Sequence, residues 1–104
     1  MYVCQWHLDI IYGKQGEAIL AINAWGKEKM ASSEFRRALS VRLLCGHVGP
    51  SPSHLVDEYV FETLADFEEA LKGMAQPQFK PLSAALTPLI VPGSQHWEIL
   101  RTLG

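Results

Sequence analysis

From Tyr2 to Ile11 the side chains alternate between two characters. Tyr2, Cys4, Trp6, Leu8 and Ile10 fall on one face, with Val3, Gln5, His7 and Asp9 on the other. A period of two predicts a strand with one buried side. Tyr12-Gly13-Lys14-Gln15-Gly16 breaks the pattern, and from Glu17 to Met30 apolar residues recur at helical spacing, through Ile19, Ile22, Trp25 and Met30. Ser33 is placed to cap a short helix running through Phe35 to Leu39. A second strand is predicted from Val41 to Val48, closed by the turn Gly49-Pro50-Ser51-Pro52-Ser53. A third follows from His54 to Glu62, rich in Val, Tyr and Phe.

Thr63-Leu64-Ala65-Asp66 marks the next helix start, with a capping hydroxyl and a carboxylate three residues on. Acid at Asp66, Glu68 and Glu69 suits the helix dipole, and Leu64, Phe67, Leu71 and Met74 form the apolar stripe. Gly73 and Gln76-Pro77 end it. Phe79, Leu82, Leu86 and Leu89 predict one further short helical piece, and Gln95 to Thr102 a last strand. The order strand, helix, strand, strand, helix, strand predicts an α+β fold: a ferredoxin-like βαββαβ antiparallel sheet with both helices on one face. Right-handed connections put the first and third strands in the middle and the last strand beside the first.

Composition narrows this to one domain spanning 1–104. The chain has 104 residues, 48% hydrophobic and 19% charged, so a disordered chain is excluded and fewer charges than usual are present. No apolar run is long enough to cross a membrane. The first residues lack the basic and apolar regions of a signal peptide. Cys4 and Cys45 both sit in strand-like apolar runs and read as reduced core residues, which predicts a cytoplasmic protein. Basic residues are concentrated in the first half and acidic ones in the second, which fits either steering of two subunits together or solvated helix faces.

The sheet face that should lie under the helices carries Tyr2, Cys4, Trp6, Leu8, Tyr59, Phe61, Trp97 and Ile99. The opposite face gathers Gln5, His7 and Asp9, Glu58 and Glu62, His96 and Glu98, interspersed with Val3, Val56, Val60 and Leu100. Imidazoles and carboxylates mixed with valines suit a cavity wall better than a solvated surface. That predicts a homodimer formed through the sheet face, around a small-molecule ligand. His7, Glu58 and His96 are the candidate catalytic residues, because an imidazole beside Glu58 or Glu98 titrates near neutrality and can exchange protons. His54, beside a turn, should face solvent. No two histidines have close ligand spacing along the chain, so neither a metal nor another cofactor is expected.

The runs Asp57-Glu58-Tyr59-Val60-Phe61-Glu62-Thr63-Leu64-Ala65-Asp66-Phe67, Gln76-Pro77-Gln78-Phe79-Lys80 and Leu86-Thr87-Pro88-Leu89-Ile90 resemble the dimeric α+β barrel group, most nearly domains of the antibiotic-biosynthesis-monooxygenase type. The resemblance implies a homodimeric barrel and a cofactor-independent monooxygenase acting on a small aromatic or polyketide-like compound. The alternative it leaves is a non-catalytic, small-ligand-binding or stress-related dimer. Where members of the quinol-oxidising type often carry histidines around the Pro-x-Phe step, this chain has Gly73 and Gln78. The residue set of the haem-degrading branch is not matched by Asn23 and Trp25. RNA-recognition domains share the element order, but the acidic third strand and a pI near 6.0 argue against nucleic acid.

Overall fold

A computed structural model describes all of residues 1–104. Its elements are β1 (Tyr2–Asp9), α1 (Gln15–Ser32), a 3₁₀ turn (Glu34–Arg37), β2 (Ser40–Cys45), β3 (His54–Phe61), α2 (Leu64–Gly73), α3 (Lys80–Leu86) and β4 (His96–Arg101). Short 3₁₀ turns, Pro77–Phe79 and Thr87–Leu89, flank α3. The strands form one antiparallel sheet in the order β2-β3-β1-β4. This is the expected ferredoxin-like α+β arrangement, with α3 as the extra helical piece.

Local chemistry sets the boundaries. Ser33 Oγ accepts from the Phe35 amide and opens the 3₁₀ turn, while Thr63 Oγ1 accepts from the Asp66 amide and opens α2. The Asp66 carboxylate does not reach back to complete a capping box. It accepts instead from Arg37, 3.1 Å away. Between β2 and β3 the chain turns tightly: Gly46 donates to the His54 carbonyl at 2.9 Å, and His54 donates to that of Ser51 at 2.9 Å. A Cβ on Gly46 would collide with the backbone carbonyls of Pro50 and Ser51, so only glycine permits the approach that starts β3 at His54.

The core lies on one side of the sheet. Trp6, Leu8, Ile10 and Leu55 pack with Ala18, Ile22, Leu86 and Ile90, while Cys4, Tyr59 and Phe61 pack with Phe35, Phe67 and Ala70. Trp97 touches both clusters. Several expectations are corrected. Ile99 is half-exposed on the edge strand rather than covered by helices. Cys45, the last residue of edge strand β2, is exposed, and only Cys4 is buried, its thiol pushed up to about 11 by burial. The inward residues of α1 are Ala18, Ile22, the half-buried Trp25 and Lys29, which displaces Ile19 and Met30 to the exposed side.

Candidate functional site

Cross-strand register builds the open face of the sheet row by row. His7 of β1 stands opposite Val56 on one side and His96 on the other. One row along, Gln5 stands between Glu58 and Glu98, and Asp9 faces His54. The imidazoles of His7 and His96 stack with centroids 4.8 Å apart. His96 and Glu98 are exposed, whereas the His7 side chain keeps only 13% of its surface accessible.

A line of polar contacts crosses this face. Asp9 Oδ1 is 2.8 Å from His54 Nδ1, His54 Nε2 is 2.8 Å from His7 Nδ1, and His7 Nε2 is 2.5 Å from Glu98 Oε2. Gln5 fixes the last of these. Its amide nitrogen donates to Glu58 at 2.9 Å, because a carboxylate can only accept, so its carbonyl faces His7 Nε2 at 3.1 Å. That nitrogen therefore faces two acceptors and must donate. The line from Asp9 to Glu98 has three links and each needs a proton, while two neutral imidazoles hold only two. Burial pushes His7 below its ordinary value, Glu98 pulls it up, and His96 and His54 push it down again.

The three residues singled out from sequence all sit on this face, but not as one contact group. His7 and His96 meet directly. Glu58 does not touch His7: its buried carboxylate takes the guanidinium of Arg42 and the amide of Gln5, and reaches the imidazole only through Gln5. The Arg42 hydrogen bond holds Glu58 below the usual carboxylate range, and Glu58 in turn raises Arg42. His54, expected in solvent, is part of the line. Spacing along the chain also conceals that His7, His96 and Glu98 bring ligand atoms within 4.8 Å of one another.

A second constellation, on the helix side, went unnoticed in the sequence. Lys29, only 4% exposed, places Nζ 3.7 Å from Asp57 and donates to the Tyr59 hydroxyl at 3.2 Å. Tyr59 donates to Asp57 at 2.7 Å. The ammonium lies 4.8–5.6 Å from the ring centroids of Trp25, Phe35, Tyr59 and Trp6. Burial lowers Lys29 and raises Asp57, each opposed by the other's charge. Strand parity could have found Asp57, which shares a face with Tyr59 and Phe61. Lys29 also lines a cleft of about 200 Å³ with Trp6, Trp25 and Trp97, and the buried indole nitrogen of Trp25 has no partner.

No protein-family model matches the chain, and no curated protein matches it. Solved structures do. An uncharacterised NIPSNAP domain protein from Burkholderia xenovorans superposes with a TM-score of 0.78 at 16% identity, covering 99% of this chain and 95% of that one. A candidate antibiotic biosynthesis monooxygenase from Caulobacter crescentus CB15 gives 0.74 at 14% identity, covering 99% and 90%. An antibiotic biosynthesis monooxygenase gives 0.71 at 12% identity over 100% of both chains. At these identities the likeness is one of fold. The chain has the ferredoxin-like α+β fold shared by antibiotic-biosynthesis-monooxygenase-like and NIPSNAP domain proteins.

Proposed function

We propose that two copies of the chain close their open sheet faces around a small aromatic compound and move a proton there. The observation that carries this is the line Asp9–His54–His7–Glu98, a set of titratable groups in hydrogen-bond series on the face left open by the helices. His96 and Glu98, both about half-exposed, meet the ligand. Glu98 Oε2 is 3.8 Å from His96 and 2.5 Å from His7, so it lies between the ring that faces the ligand and the ring that stores the proton. Glu58 positions His7 through Gln5.

The reaction class is a cofactor-independent oxygenation of an electron-rich phenol. The hydroxyl proton passes to the histidine pair, and the phenolate reduces dioxygen. One oxygen atom enters the ring as a quinone carbonyl while the ring C–H is lost. The other leaves as water with the two displaced hydrogens. Oxygen uptake with a panel of phenols and quinols tests this. His7→Ala should lower turnover by about 10²-fold or more while the protein stays dimeric. Turnover unchanged in His7→Ala would remove the acid–base assignment.

The alternative, a non-catalytic ligand carrier, is favoured by the helix-side cleft. Its tryptophans, the unpartnered Trp25 N–H and the Lys29 ammonium suit a planar ring with an anionic oxygen. Quenching of tryptophan fluorescence by such compounds, with no oxygen uptake, would select it.

A further inference from the structure

We propose that His7, His96 and Glu98 form a binding site for a divalent transition-metal ion of the zinc class, on the open face of the sheet. Pairing across strands, not spacing along the chain, builds the site. His7 and His96 are direct partners on β1 and β4, and Glu98 returns to the same face two residues later. Their ligand atoms already lie within 4.8 Å of one another. Two imidazoles and one carboxylate form a borderline-soft donor set, suited to zinc, cobalt or nickel and poorly suited to magnesium or calcium.

The hydrogen-bond count gives the stronger reason. His7 Nε2 faces only acceptors, Glu98 Oε2 at 2.5 Å and Gln5 Oε1 at 3.1 Å, and the line to Asp9 is one proton short when both rings are neutral. A cation at Nε2 takes the place of that proton. His7 then donates from Nδ1 to His54, and His54 donates from Nδ1 to Asp9, so every link is filled with neither ring charged. Metal-binding imidazoles are commonly oriented by a carboxylate on their second nitrogen. Here the same device runs through one additional ring.

Anchoring and exposure are distributed as such a site requires. His7 is held from behind by His54 and from the side by Gln5, itself anchored on Glu58. His96 and Glu98 are about half-exposed, free to adjust to metal–ligand bonds of about 2.0–2.2 Å without repacking the core. With three protein ligands, a tetrahedral ion keeps a position open toward the face where a small molecule would bind. Metal uptake does not rest on the proton chemistry proposed above, since the two use the same nitrogen and compete for it.

Calorimetric titration with zinc chloride, and with magnesium chloride as control, tests the site. The wild type, His96→Ala, Glu98→Gln, His54→Gln and His47→Ala would be compared, each checked for fold by circular dichroism. His47 is exposed and lies outside the cluster. Saturable zinc uptake without magnesium uptake is expected. Affinity should fall about tenfold or more in His96→Ala and Glu98→Gln, and about 10–100-fold in His54→Gln, which touches the ion only through His7. His47→Ala should bind as the wild type does. Absence of zinc uptake, uptake indifferent to His96→Ala and Glu98→Gln, or an equal loss in His47→Ala would overturn the site. Each of these results leaves the oxygen-uptake test of the phenol reaction independent.

Discussion

Lys29 is a charged residue in a hydrophobic core, and its place there depends on Asp57, the Tyr59 hydroxyl and four aromatic rings. Lys29→Met leaves the Asp57 carboxylate buried without its counter-ion, so about 3–5 kcal/mol of stability should be lost. Combining it with Asp57→Leu and Tyr59→Phe should restore most of that, because a fully apolar set leaves neither a buried charge nor the orphaned Tyr59 hydroxyl. Urea unfolding of the two variants decides the matter, and equal loss in both would contradict it. Tyr59→Phe should cost about 1–3 kcal/mol, as the hydroxyl that serves both charges disappears. Alternation along β1 made His7 legible as a polar-face residue, and the same parity carried an unused signal for Asp57, which shares its face with Tyr59 and Phe61. Lys29 was hidden because a lysine at the end of a helix looks like a solvated charge. Its burial follows from the rings around it, which only the tertiary fold brings together.

At the level of elements, strands were more legible than helix faces. A period of two leaves little choice of face, so β1 and β3 were read with their buried sides correct. The stripe of α1 is weakly apolar and so poorly legible, and Lys29 occupies the core-facing slot that the spacing assigns to Met30. Capping was legible from Thr63 and Ser33, and Thr63→Ala should lower stability by about 1 kcal/mol in thermal or urea unfolding. Edge strand β2 is tied to the sheet by Arg42 on Glu58, which lowers the carboxyl from its ordinary 4.5. A carboxyl lowered on folding contributes stability that is complete above the unfolded value and is lost as pH falls through the lower folded value. Arg42→Gln should therefore flatten the decline of the urea midpoint with acidification below about pH 4.5. A decline as steep as that of the wild type would show the contact to be without effect.

For the whole molecule, the fold was legible from element order alone, since right-handed connections leave few topologies for this sequence of strands and helices. The site was less so. Which of the polar residues meet depends on register, and register comes from the β2–β3 turn at Gly46 and from pairings that no local pattern displays. What covers the open face is the central claim. Val3, Val56 and Val60 are half-buried there among the imidazoles and carboxylates, and Leu100 is exposed. Sedimentation equilibrium at micromolar concentration, on the wild type and on Val60→Lys, tests that claim most directly. Val60 lies on this face away from the histidines, paired with Val3 and Ser40. The wild type should be a dimer and Val60→Lys a folded monomer, while a monomeric wild type, or a dimer indifferent to Val60→Lys, would contradict a barrel closed sheet to sheet.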